Sequence, residues 1–397
     1  SIFKLIGFII LLFFLFSLPS FLAVKGLIDI SRNKGSLSVA VLCSAAFSVI
    51  FNYTIQNSIR ADVSVLELHL FTGASLFQIA VFFTLFIFIY LAFNQIFLPT
   101  IIILAIGISS TIASSLKFQY RQEPILPSDI SWLKDPKLLF DFLGGNYGIY
   151  AIASVVAIGL FYWFFRRKIL PGKIIAMVKI QLISLVIPIV FLGVLQIFSS
   201  KENGKVADNI PVVSILNNYH DLTWFGNTVN SQMRSVSFVW FTQLSDKPMI
   251  QPAGYSKERI QELEKKYGPL ADSINQERKQ KIEEQTVIYV LSESFSDPAR
   301  ISGVSMSQNP IPNIQEIMSK TTSGLMQSDG YGGGTANMEF QTLTGLPFYN
   351  LSPSVSVIYT EVVPKMNKLP AISDSYSSQN RTVIHLASPS NYSRNII

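Results

Sequence analysis

The sequence predicts two structures joined in one chain: a polytopic α-helical membrane domain over residues 1–198 and, after a connector over 199–285, an extracellular α/β domain over 286–397. Three observations carry this. Apolar runs dominate the first half, a polar texture punctuated by Gly and Pro begins near residue 199, and a β-branched run from Thr286 stops abruptly at Ser-Glu-Ser. Of the 397 residues 49% are hydrophobic and 14% charged, against about 25% charged in ordinary soluble domains. The boundary near residue 199 is therefore a change of solvent.

Crossing a hydrocarbon core takes about 20 apolar residues. Runs of that kind fall near 2–22, 37–56, 74–97, 100–116, 148–165 and 174–198, which predicts six spans. The run 37–56 is diluted by Ser and Asn, and 100–116 is short and follows the turn at Pro99. Orientation follows the Lys and Arg of short loops. Lys25, Arg32 and Lys34 lie between the first two spans, and Arg166, Arg167, Lys168 and Lys173 between the last two, whereas 57–73 offers only Arg60. The two basic loops are thus expected in the cytoplasm, and 57–73, 117–147 and everything after about 198 outside it.

In the outer loop 117–147, Arg121, Glu123, Asp129 and Trp132 surround prolines that hold the backbone extended. Two readings stay open: a rigid re-entry loop, or a surface on which Arg121 meets a lipid headgroup or docks the outer domain. The single cysteine, Cys43, lies inside an apolar run, which excludes a disulfide within the chain and a Cys-based zinc site. The net charge of +6 does not point to nucleic acid, since no basic stripe with interleaved aromatics occurs in the polar half.

In the connector, Pro211 to Leu244 carries Trp224, Phe225, Phe238, Trp240 and Phe241 among polar residues. That suits a helix at headgroup depth or one packed on the outer domain. A charged helical pattern opens at Ser256, with Glu258 and Glu262 close behind the cap, and reads as a solvated strut.

The run TVIYVLSESF, Thr286 to Phe295, is predicted to be a strand buried on both faces of a parallel sheet. Ligands of open α/β sheets bind beyond the carboxyl ends of strands, so Glu293 stands where a metal or substrate would be held. About forty residues on comes YGGGTANMEF, Tyr331 to Phe340, followed by a helical pattern in which Ala336, Phe340, Leu343 and Leu346 recur on one face. Thr335 is thereby placed at a helix N-terminus, where backbone N–H groups and the dipole stabilise negative charge. A threonine there could serve only as a cap. Three preceding glycines suit instead a hydroxyl that must be approached by a bulky tetrahedral group, and a divalent cation held by Glu293 would ionise it.

Together, TVIYVLSESFSDP and GYGGGTANMEFQTLTG resemble the lipoteichoic acid synthase family, membrane phosphoglycerol transferases of Gram-positive bacteria with an alkaline-phosphatase/sulfatase-like outer domain. The resemblance implies that Glu293 is a ligand of a catalytic Mn2+ or Mg2+. It also implies that Thr335 is both ligand and nucleophile, taking glycerol phosphate from phosphatidylglycerol as a phosphothreonine before passing it to a teichoic acid or glycan acceptor. HLASPSNYSRN, His385 to Asn395, is similar to the family's glycerol-phosphate contact, with Arg394 as the phosphate-binding arginine. Tyr392 stands where a tryptophan is usual and Ala387 where a polar or acidic residue is common. His385 is either close behind the substrate or structural, and His69 and His220 are given no catalytic role.

The family completes its metal site with an Asp-His pair and a further His, and no such pair precedes Ile397. The outer domain is therefore expected to be truncated and the chain alone inactive; the start at Ser1, already apolar from Ile2, is expected to be internal as well. Other readings are a phosphoethanolamine transferase, whose relatives carry disulfide-rich outer domains, and a non-catalytic membrane scaffold. A sulfatase would need Cys or Ser at the nucleophile position.

Overall fold

The computed structural model describes residues 2–60, 70–127, 129–130, 147–201, 205–219, 226–245, 247–249, 251–292, 295–326, 334–352, 355 and 357–386; side chains are described outside 2–16, 120–121, 147–152, 154–155 and 360. The chain divides into two compact units, Ser1–Lys247 with Ser352–Val355, and Pro248–Leu351 with Ser356–Ile397.

The first unit is built on six long helices: α1 (Ile2–Ser31), α2 (Leu37–Ser58), α3 (Ala74–Phe93), α4 (Phe97–Arg121), α5 (Tyr147–Phe165) and α6 (Val178–Phe198). Among the described residues four stretches, Leu37–Ser58, Ala74–Phe93, Phe97–Gln119 and Val178–Phe198, are long and apolar enough to cross a membrane. The short apolar run expected at 100–116 is thus the middle of a longer helix. Ser36 starts α2, accepting from the Val39 N–H (3.3 Å) and donating to Asp29 Oδ2 (2.7 Å).

Polarity in this unit is inverted relative to a water-soluble bundle. Asn52, Gln56 and Gln78 are buried. Gln78 Nε2 donates to Asn52 Oδ1 (3.1 Å), Gln56 Nε2 to the Ser231 carbonyl (2.7 Å), and Gln78 Oε1 accepts from the Ser237 N–H (3.0 Å). Outside, α6 exposes Ile183 (66%), Ile187 (69%) and Ile197 (69%). Such a surface is costly in water and neutral in lipid, while interior amides tie helices together where no water competes.

The two basic loops lie at one end of this bundle. Asn33 Nδ2 donates to the Lys168 carbonyl (2.7 Å), its Oδ1 accepts from the Leu170 N–H (2.8 Å), and the Gly35 N–H reaches the Pro171 carbonyl (3.2 Å). The α3–α4 turn joins them through Asn94, which pairs with the backbone of Ile175 at 2.9 and 2.8 Å. At the opposite end, α2 and α4 run out together, linked by Thr54 and Thr111 (3.2 Å). One turn earlier, Gly107 lets the Phe51 ring against α4: a Cβ there would lie 2.1 Å from the ring.

Among the described residues the unit also has the shorter helices α7 (Val213–Asn218), α8 (Gly226–Arg234) and α9 (Val236–Ser245). Phe238 and Phe241 of α9 meet Phe77 of α3 edge-on at 5.4 and 5.8 Å, and Trp240 Nε1 donates to the Ile125 carbonyl (2.7 Å). These aromatics of the connector therefore pack on the bundle.

In the second unit α10 (Lys257–Glu277) begins at Ser256, whose Oγ accepts from the Arg259 N–H (3.2 Å), and buries no residue. α11 (Pro312–Lys320), α12 (Thr335–Thr344) and α13 (Ile358–Glu361) follow. The α/β expectation is not met: among the described residues no β-strand is present. The run predicted as a buried strand is exposed, with Ile288 at 78% and Val290 at 81%, and so is the run before His385, with Ile384 at 82%. The reason is that a strand exists only as part of a ladder. Both segments have strand-forming residues, but neither has a described neighbour for its backbone.

Candidate functional site

Of the five residues singled out as a site, the structure describes two, Thr335 and His385. Glu293, Tyr392 and Arg394 lie outside the described residues, as do His69, His220, Trp132 and Ala387. The convergence of Glu293 and Thr335 on one ion is therefore an expectation of the sequence.

Thr335 is half-buried and is the first residue of α12; the cap position belongs to Gly334, whose carbonyl accepts from the Asn337 N–H (3.0 Å). The threonine is thus placed inside the first turn, one position past the cap. Gly334 has φ −75° and ψ 21°, angles open to most residues, so what glycine contributes there is the absence of a side chain.

The residues that fix α12 differ in part from those expected. Phe340 is buried against Tyr359 of α13, ring centroids 6.0 Å apart and 77° inclined. Ala336 and Leu343 are half-buried and Leu346 is exposed. Two polar residues complete the face. Asn337 Oδ1 accepts from the Ile358 N–H (3.0 Å), and Glu339 Oε1 from the Tyr359 hydroxyl (3.0 Å), both within the buried interior. Sequence reasoning missed them because it followed apolar spacing; the signal was that Asn337 and Phe340 are three residues apart, on one helix face. The helix closes at Gly345, in the left-handed region at φ 68°, with its N–H on the Gln341 carbonyl.

His385 is half-buried after the exposed 382–384. Among the described residues no group of three or more His, Cys, Asp or Glu could hold a metal ion. The described part of the expected ligand set is the Thr335 hydroxyl, a hard oxygen donor of the kind that suits Mg2+ or Mn2+. In the segment after α4, Asp129 has a structural role: its Oδ2 accepts from Lys117 Nζ (2.7 Å) and from the Leu126 N–H (2.7 Å), with Glu123 at 3.5 Å from the same ammonium.

Residues 285–396 match the family model described as Sulfatase. The chain is thus a protein with membrane-type helices and a sulfatase-family segment. Among curated proteins it is 23% identical over 300 residues to a "Putative cyclic beta-1,2-glucan modification protein" of Rhizobium meliloti, covering 74% of this chain and 43% of that protein. Among solved structures it is 56% identical to the Streptococcus pyogenes phosphoglycerol transferase GacH in complex with sn-glycerol-1-phosphate, covering 38% of this chain and 39% of that one. The superposition has a TM-score of 0.37 and carries no statement about fold. The chain spans less than half the length of both relatives.

Proposed function

We propose that the protein transfers glycerol phosphate from phosphatidylglycerol to a teichoic acid or cell-wall glycan acceptor, on the outer side of the membrane, through a covalent phosphothreonine at Thr335. The observation that carries the reading is the sulfatase-family match over 285–396, which contains Glu293, Thr335 and Arg394 together. Also in its favour are the half-buried Thr335 in the first turn of α12 and its cap at Gly334. The phosphoglycerol transferase activity of the 56% identical neighbour agrees with the reading but does not carry it.

In the first step the Thr335 oxygen forms a bond to phosphorus, and the diacylglycerol oxygen leaves with a proton. In the second, an acceptor hydroxyl bonds to phosphorus, releases its proton, and the Thr335 oxygen departs. Glu293 and Thr335 would hold a Mn2+ or Mg2+ ion, which supplies Lewis acidity and lowers the pKa of the hydroxyl. The first turn of α12 presents backbone N–H groups that stabilise charge on the phosphoryl oxygens. Arg394 would clamp the phosphate with its planar fork, and Tyr392 and His385 would contact the glycerol.

The test is mass spectrometry of the membrane-reconstituted protein carrying a complete outer domain, after incubation with phosphatidylglycerol and Mn2+. A glycerol phosphate adduct on the Thr335 peptide is expected, and none in Thr335→Ala. An adduct that persists in the variant would overturn the assignment of the nucleophile, and a phosphoethanolamine adduct from mixed lipids would change the donor.

A further inference from the structure

The first unit holds a cavity of about 580 Å3 at the end of α2 and α4 that lies opposite the basic loops, lined among others by Asn57, Arg60, Thr111, Ser115, Gln119 and Gln122. Arg60 is 9% exposed, although it follows α2 directly. Its Nη2 donates to the Gln232 carbonyl, while its Nε and Nη1, both buried, have no hydrogen-bond partner among the described residues. Burial pushes this guanidinium down to about 10, which still leaves it charged at neutral pH. Lys117 on α4 is different, since Asp129 and Glu123 neutralise it. The C-terminal ends of α2 and α4 favour a cation here, but among the described residues they supply no acceptor for its Nε and Nη1. A buried charge without acceptors is costly and calls for an anion.

We infer that this cavity binds the phosphodiester of a phospholipid headgroup. A guanidinium fork matches two phosphate oxygens, and the neutral amides and hydroxyls beside it suit the polar remainder of a headgroup. Among the described lining residues Arg60 is the one cation and the others are neutral, which balances a singly charged phosphodiester better than a doubly charged free phosphate. The path for the acyl chains is present too. Ile108, Ile112, Ser115 and Gln119 follow one stripe of α4, and Ile50, Tyr53, Thr54 and Asn57 one stripe of α2, so that each stripe runs from apolar to polar toward the cavity. Ile50, Ile108 and Ile112 are half or more exposed, on helices suited to lipid. The cavity belongs to the first unit and Thr335 to the second, and the test reads binding without turnover.

The full chain, purified in detergent and offered phosphatidylglycerol, is followed by native mass spectrometry, with diacylglycerol and inorganic phosphate as comparison probes. Retained phosphatidylglycerol is expected to fall about tenfold or more in Arg60→Gln, as loss of a charge-assisted pair implies, and to recover in part in Arg60→Lys. Diacylglycerol is expected to bind wild type and variant alike. Asn57→Trp, which fills the cavity and keeps the guanidinium, is expected to lose the lipid as well, and it decides the matter if Arg60→Gln does not fold. Undiminished phosphatidylglycerol in folded variants would overturn the inference. So would displacement of the lipid by an equal concentration of inorganic phosphate, which would mark a site for small anions.

Discussion

Replacing Gly107 by alanine tests how α2 and α4 are held together beneath this cavity. An added Cβ would lie 2.1, 2.2 and 2.5 Å from three ring atoms of Phe51, which is itself buried at 3% and meets Phe86 edge-on at 5.9 Å. The ring is buried, so either it is displaced against Phe86 or the helices move apart. Overpacking of this kind costs about 1–3 kcal/mol, set against a helix-propensity gain of about 1 kcal/mol for Ala over Gly. Gly193 on α6 provides the control, since a Cβ there meets nothing within 4 Å. The same substitution at Gly193 keeps the propensity gain without the clash. The two variants should therefore differ by about 1–3 kcal/mol, read as unfolding midpoints in a denaturing-detergent titration monitored by tryptophan fluorescence. Phe51→Leu added to Gly107→Ala should restore part of the loss. Equal midpoints for the two alanine variants would refute the contact between Phe51 and α4.

Thr335→Ala should abolish the covalent adduct while changing stability by less than about 0.5 kcal/mol, because the cap position is Gly334; a collapse in the melting curve would instead assign the residue a structural role. Asn337→Leu should leave the Ile358 N–H without an acceptor, at a cost of about 1–3 kcal/mol, seen as faster hydrogen exchange at Ile358. Asp129→Ala should strand the Lys117 ammonium, 8% exposed, beside Glu123 at 3.5 Å and cost about 2–4 kcal/mol, checked by the same detergent titration. In α10 the Glu258 carboxyl is held below its usual range, first by its own backbone N–H and then by Ser256. A lowered carboxylate pKa stabilises the folded form above the unfolded pKa and ceases to as pH falls through the folded one. α10 should accordingly fray under acid conditions, and Glu258→Gln should remove that pH dependence of its helical circular dichroism.

The sequence by itself marked the apolar runs that are long enough to cross a membrane, because length and composition are properties of one segment alone. It placed the starts of α2 and α3 at residues 37 and 74, and that of α10 behind the cap at Ser256, all without reference to any partner. It also placed Thr335 at a helix N-terminus, since the glycines and the periodicity after them are local too. What it could not decide was anything that depends on a neighbour. The Thr286 and Thr382 runs have strand-forming residues, yet pairing is a property of two segments, and the described residues provide no second one. Asn337 and Glu339 fall outside the apolar spacing of α12, and it is α13 that covers them. Arg60 read as a single loop charge until the turn after α2 carried it into the interior, where burial, not residue type, made it a candidate for binding an anion.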